Sequence, residues 1–295
     1  MRKHTRGQSS RSALVLTAIL SLLWVGCDDL SGPAAPPSEG LSLCEASNLF
    51  RSDDFQNPTQ VDNRWLPLIP GTVFIFDGMA NRGGGLLPHR VVFTVTDLTK
   101  VIDGVRTVVL WDRDYNNGVL QEAELAFFAQ DDDGNVWTLG EYPEEYEAGA
   151  FVGAPSTWFT GLAGAEAGIN VPGDDLVGYR FLQGWVRDIN FLDCGMVFGT
   201  GRSVCVPFNC FENVLEVDEW SPLEPGSGHQ RKYYAPGLGI VRIGAVDDPE
   251  AETLVLVSVL HLTPLQLAEA RVETLRLEAH GYQVSDVYRR TAPCE

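Results

Sequence analysis

Between Gly71 and Glu141 the chain repeats one device: a short β-prone run, then a turn written in Asp, Asn or Gly. The runs are residues 71–77 (GTVFIFD), 90–96 (RVVFTVT), 107–114 (TVVLWDRD), 119–130 and 135–141 (NVWTLGE). They are rich in Val, Phe, Thr and Trp, side chains that pack well on a pleated surface. The breaks at Asp103-Gly104, Asn116-Asn117-Gly118 and Asp131 to Gly134 hold residues that tolerate positive φ, which tight hairpin turns require. Short strands joined by short turns pair with their sequence neighbours, so this stretch predicts an antiparallel meander. Further strands are expected at 203–207, 214–220, 231–235, 239–243 and 254–260. Residues 149–190 are Gly-rich and predict longer loops with one or two strands.

One helix is written clearly, over residues 263–280. Thr263 is its N-cap, Pro264 its first residue, and Gln266 completes a capping box. Leu265, Ala268, Val272, Leu275 and Ala279 recur at helical spacing and predict one apolar face, with Gly281 as the stop. The fold expected is mainly β: an antiparallel meander forming a curved sheet or half-open barrel, with the C-terminal helix packed on it.

The amino end has another purpose. Arg2, Lys3, Arg6 and Arg11 precede an apolar run, residues 13–25 (ALVLTAILSLLWV). That is the length of a signal-peptide core and too short to span a bilayer, which takes about 20 residues. It ends at Gly26-Cys27, a small residue before a cysteine, where lipoproteins are cut and acylated. Residues 1–26 are therefore expected to be a signal peptide and Cys27 a lipidated residue. Residues 27–43 are expected to be a tether rich in Pro, Ala, Ser and Gly. Residues 44–295 then form a single β-rich domain. The expected location is a bacterial membrane, at the periplasmic or cell-surface side, reached through the lipid.

Charge narrows the partners. The 21 basic residues less the four in the leader leave 17 against 40 acidic ones, a net of −23 for the processed chain. Such a chain repels nucleic acid and anionic lipid, and suits a cationic or neutral ligand. The cysteines fit an oxidising compartment. Cys44 and Cys294 flank the folded part, and a bridge between them is expected. Cys194, Cys205 and Cys210 lie close in sequence, so that two pair and one is left over.

Catalytic motifs are sparse: HExxH, P-loop, CxxC and GxSxG patterns are all absent from the sequence. Asp112, Asp114 and Asn116 resemble the start of a calcium loop, but Asn117 stands where Gly is required and Ala123 where the bidentate Glu belongs. A hairpin turning at Asn117-Gly118 would place Arg113 opposite Glu122 and Asp114 opposite Gln121 on a solvated face. Paired carboxylates of the glycosidase kind could come from Asp112, Asp114, Glu122, Glu124 and Glu141. Trp111, Trp137 and Tyr234 are candidate aromatic lining of a concavity.

Four stretches together resemble a widespread family of uncharacterised exported bacterial proteins and lipoproteins. They are residues 65–76 (WLPLIPGTVFIF), 113–120 (RDYNNGVL), 133–141 (DGNVWTLGE) and 232–241 (KYYAPGLGIV). The resemblance spans residues 55–245 and carries over no catalytic residue. The YYAPGLG stretch is also similar to envelope β-proteins of the lipoprotein-carrier type, whose curved sheets hold lipid chains. The expected function is a cell-envelope lipoprotein binding an apolar or amphiphilic small molecule, with no cofactor and with protein partners unspecified. The alternatives are an interaction module of an envelope complex and a hydrolase of envelope glycan or polymer.

Overall fold

The structure, a computed structural model, describes residues 38–295. The expected signal peptide, Cys27 and most of the tether lie outside the described residues. Regular structure is present before residue 44: Glu39–Cys44 form a short helix, α1, capped by the Ser38 hydroxyl, which accepts from the Leu41 amide at 3.1 Å.

Fourteen strands follow in chain order: β1 Thr72–Asn81, β2 Leu86–Ile102, β3 Val105–Asn116, β4 Val119–Gln130, β5 Val136–Glu147, β6 Ala150–Gly153, β7 Trp158–Phe159, β8 Glu166–Val171, β9 Arg180–Val186, β10 Phe191–Cys205, β11 Cys210–Trp220, β12 His229–Ala235, β13 Gly239–Val246 and β14 Thr253–His261. Residues 149–190 thus hold four strands, not one or two. The missing signal is length: β6 and β7 are too short to show a period. All pairings are antiparallel, in the order β4-β3-β2-β1-β14-β13-β12-β11-β10-β9-β8-β5. β4 also pairs with β5, and that pairing closes the ring. The half-open sheet expected from the sequence is therefore a closed barrel of twelve strands, with β6 and β7 attached along β5. Closure gives every ring strand a partner on both sides, although β13 meets β14, and β8 meets β9, at only two residue pairs each.

Strand alternation assigns the two faces. Val108, Leu110, Asp112 and Asp114 of β3 lie opposite Phe128, Ala126, Glu124 and Glu122 of β4, so they share one surface. Glu141 of β5 continues that surface opposite Ala126. Lys232 of β12 lies six strands from β4 and five from β5 in the ring of twelve, yet its charge acts on both Glu124 and Glu141. Only a path across the interior brings them together, so this surface is the inside.

One end of the barrel is plugged. Asn63 ties the plug down: its Nδ2 donates to the carbonyls of Gly134 (2.7 Å) and Pro172 (3.2 Å), and its Oδ1 accepts from the amides of Trp65 and Leu66. The Gly237 amide in the β12–β13 turn donates to the Arg64 carbonyl at 2.7 Å. The segment thereby spans three turns at one end and buries Trp65 at 1% exposure, with Val61 and Leu68 beside it. This is the start of the WLPLIPGT stretch.

The C-terminal helix α2 runs Pro264–Val284, with the expected capping box at Thr263 and Gln266. It continues through Gly281, where the absence of Cβ admits the rings of Tyr142 and Tyr288. Its buried face is not the predicted one. Ala270, Thr274, Glu278 and Gly281 are buried, whereas Leu265 is 70% and Val272 48% exposed. Small residues permit close approach, and polar contacts hold it: Lys100 Nζ reaches Glu278 Oε1 at 3.0 Å, and His280 Nδ1 lies 2.6 Å from Glu144 Oε1. Both partners lie on the outer surface with Phe127 and Tyr142, so α2 covers the outside of the wall.

Cys44 pairs with Cys194 and Cys205 with Cys210. The expected Cys44–Cys294 bridge is not formed. Leu182, Leu192 and Cys194 of β9 and β10 gather α1 against the outer wall, which brings Cys44 to Cys194. Cys294 remains a thiol, pushed well above its ordinary pKa by burial and then by Glu278, despite the charge of Lys100.

If the plug holds the floor, Trp65→Ala costs about 3–5 kcal/mol of stability, the range for deleting a large buried aromatic. Urea unfolding followed by Trp fluorescence and circular dichroism checks it; a loss below about 1 kcal/mol would remove Trp65 from the core.

Candidate functional site: an acidic barrel lumen

The five carboxylates singled out in the sequence converge. Asp112, Asp114, Glu122, Glu124 and Glu141 all face inward from β3, β4 and β5. The expected pairing of Arg113 with Glu122 fails by one residue. A bulge between Asp114 and Tyr115 shifts the register, placing Asp114 opposite Glu122 and Asp112 opposite Glu124. Like charges therefore meet on the inside, and Arg113 turns out to stack on Trp111 at 3.9 Å.

The far wall adds groups that the sequence reading missed. β12 sends Gln230, Lys232 and Tyr234 inward at period two, paired with Glu219, Val217 and Leu215 of β11. Lys232 Nζ contacts Glu219 Oε2 at 2.6 Å, and Gln183 Nε2 donates to Glu219 Oε1 at 3.0 Å. Trp158 Nε1 donates to Glu141 Oε2 at 2.8 Å. Asp193 of β10 completes the ring, within reach of the charges of Glu141, Glu219 and Lys232. At the rim Arg82 pairs with Glu250 and Glu252 and lies 3.6 Å from Asp114. His89 Nδ1 is 3.2 Å from Asp114 Oδ1. The period-two spacing of Asp112 with Asp114 and Glu122 with Glu124, in parity with Leu110 and Ala126, was the available signal.

This environment shifts the acids upward. Burial, then the charges of Glu122 and Asp114, pushes Asp112 well above the usual carboxylate range. Burial, then Glu141, Glu122 and Asp112, does the same to Glu124. Glu122 is raised to about 7 by burial and by Asp114, Glu141 and Glu145. Asp193 is raised to about 7 by burial and by Glu141 and Glu219, against the pull of Lys232. Asp114 rises only to about 6, because His89 and Arg82 oppose its burial. Lys232 moves upward as well: burial opposes its charge most strongly, but Glu219, Tyr234 and Asp193 together outweigh it. These groups are encircled by protein yet wet. Glu219 keeps 12% and Lys232 20% of its side chain accessible, so the low-dielectric wall raises the acids while lumen water still reaches them.

The open end leads outward into a hollow of about 390 Å³, bordered by Asp193, Glu219, Glu224, His229, Asp248 and Glu250 among others. A larger hollow, about 690 Å³, lies against the outer face of β1–β3, but its Asp77 and Arg90 satisfy each other at 2.6 Å. The smaller one under residues 41–50 is remote from the carboxylates.

Of the expected aromatic lining only Tyr234 is inside. Trp111 and Trp137 share the outer surface with Leu125 and Ala129, which are their strand partners. Trp137 packs under Phe50 and Phe55 and donates to Asp131 Oδ2 at 2.7 Å. Of the expected metal set, Asp112 and Asp114 face the lumen while Asn116 is buried at the β3–β4 turn. Among the described residues no three His, Cys, Asp or Glu side chains are grouped to hold a metal ion.

No family model matches the chain, and no curated protein matches it. Two solved structures are similar at a low level. One is a candidate exported protein of Bacteroides fragilis with a YmcC-like fold: 15% identity, TM-score 0.35, covering 67% of this chain and 99% of that one. The other is a candidate lipoprotein of Parabacteroides distasonis: 14% identity, TM-score 0.27, covering 68% and 100%.

Stability should depend on pH through these acids. A carboxyl raised on folding binds its proton more tightly in the native state, so its stabilisation is complete below the unfolded pKa. It is lost as pH rises from about 4 through about 7. The melting temperature should therefore rise as pH falls from about 8 to about 5, and the double variant Glu122→Gln/Asp193→Asn should flatten that rise. An identical pH profile in the variant would contradict the assignment.

Proposed function

We propose that the protein is an exported, lipid-anchored binding protein of the cell envelope, whose barrel lumen takes up a small ligand through its carboxylate-lined end. One observation carries this reading: the lumen is floored by Trp65 and its neighbours, but wet and polar at the other end. The hollow there, about 390 Å³, falls within the range of small-molecule sites. The leader, Cys27 and the two disulfides support export to an oxidising compartment, with the lipid as the membrane contact. The lining moves the expected ligand away from a purely apolar molecule toward one with a polar, hydrogen-bonding face.

Native mass spectrometry of the exported full chain, released from detergent micelles, tests the reading. The expected result is a stoichiometric extra mass beyond the acyl group, lost on denaturation. A clean apo mass in protein from its native host would contradict it.

A second reading, hydrolysis of an envelope glycan or polymer, is supported by the convergence of Asp112, Glu122, Glu124 and Glu141 on one surface. Glu122, raised to about 7, is the group able to protonate a leaving oxygen at neutral pH while a neighbouring carboxylate acts as base or nucleophile. That reading requires release of reducing ends from an envelope glycan, abolished by Glu122→Gln.

A further inference from the structure

We propose that the ligand of the lumen is a small organic cation, an amine whose N–H groups are accepted by Asp112, Glu122, Glu124 and Asp193. This rests on the lumen reading above and adds the chemical class of what enters.

The hydrogen bonds of the inward acids separate them into two sets. Glu219 accepts from both Gln183 and Lys232, and Glu141 accepts from Trp158. Glu252 accepts from Arg82, and Asp114 has Arg82 and His89 as ionic neighbours at 3.6 and 3.2 Å, although its Oδ1 makes no hydrogen bond. No side chain among the described residues donates a hydrogen bond to the carboxylates of Asp112, Glu122, Glu124 or Asp193, and Asp112 Oδ1 is buried without a partner. Lys232 is the one inward cation on the wall that faces them, and Glu219 already engages it. Four carboxylates thus face the lumen without a salt bridge or a side-chain donor of their own, and feel Arg82, Arg113 and Lys232 only through space.

An independent observation points to the same space. Tyr234 is fully buried, and its hydroxyl has no hydrogen-bond partner. It lies on the inward file of β12 below Gln230 and Lys232. A buried phenol is ordinarily paired, because leaving its hydroxyl unpaired costs most of a hydrogen bond. Here its oxygen is left without a donor from the protein.

The donor is organic and not a bare metal ion. The four acids are spread over β3, β4 and β10 and do not group into a coordination set among the described residues. An amine with separated N–H groups matches such an arrangement, and the hollow at the rim, which Asp193 alone of the four borders, has the volume to admit one. Its positive charge would also displace the protons that burial and mutual repulsion keep on these carboxyls, so binding should release protons.

Isothermal titration of the full chain in mild detergent at pH 7 tests this, with spermidine as the cationic probe and cellobiose as the neutral one. The expected result is saturable one-to-one binding of spermidine, no binding of cellobiose, and a heat that varies with the ionisation enthalpy of the buffer. Asp112→Asn, Glu124→Gln and Tyr234→Phe should each weaken spermidine by about tenfold or more, the effect of losing one charge-assisted or buried hydrogen bond. Glu212→Gln, an exposed acid outside the lumen, should leave it unchanged. Should either of the first two variants fail to fold, Glu122→Gln takes its place. Spermidine affinity equal in the lumen variants and the wild type would mark mere attraction to the acidic surface and overturn the proposal. Binding of cellobiose alone, or a neutral lipid in the native mass spectrum, would overturn the cation while leaving the lumen reading intact. Absence of any bound species in both experiments would remove both.

Discussion

The pairing of β4 with β5 governs this molecule. Without it the strands form a long open sheet with two edges, and the carboxylates of β3, β4 and β5 lie on a surface that water can screen. With it the sheet becomes a ring, and the same side chains face one another across a confined space. The antiparallel ladder satisfies the backbone. Every kilocalorie of repulsion between inward acids is therefore held against a closed hydrogen-bonded wall, and protons relieve it. The raised acids are a consequence of ring closure and not of any local motif.

The rest of the chain serves that ring. The segment around Asn63 and Trp65 plugs one end by bonding to three of its turns. The helix α2 shields the outer surface of the wall through a buried pair, Lys100 with Glu278, which also receives Tyr288 and the Cys294 amide. Removing one member of such a pair would leave a buried charge without a partner, so it fixes the position of the helix more than it adds stability. The Cys44–Cys194 bridge fastens α1 near the top of β10. With floor, outer wall and first helix fixed, the open acidic end is what remains available to other molecules.

Much of the barrel was legible in the sequence, because local physics wrote it. Turn residues and period-two runs marked β1 to β5 and β11 to β14 but only the end of β10, and the capping box at Thr263 and Gln266 marked the start of α2. What was not legible is set by contacts distant in sequence. Closure depends on strand curvature, which alternation does not encode. The carboxylates were visible, but both parities of β3 and β4 carry apolar residues: Val109 and Trp111 on one, Val108 and Leu110 on the other. The inner face could not be chosen, and Trp111 and Trp137 were assigned to the wrong side. One bulge at Asp114 reversed the meaning of the hairpin, from opposite charges paired on a solvated face to like charges paired inside. The helix misled in a similar way: its leucines mark a face, but Ala270, Thr274 and Gly281 let the opposite side come closer.

The central claim is that this barrel keeps a set of acids enclosed, wet and partly protonated near neutral pH. Carbon-detected NMR of the Asp and Glu side-chain carboxyls, titrated from pH 3 to pH 9, reads it directly. The account predicts that Glu122 and Asp193 titrate at about 7 and Asp114 at about 6, apart from the surface acids. If all Asp and Glu carboxyls titrated below about pH 5, as ordinary solvated acids do, the lumen described here would not exist in solution.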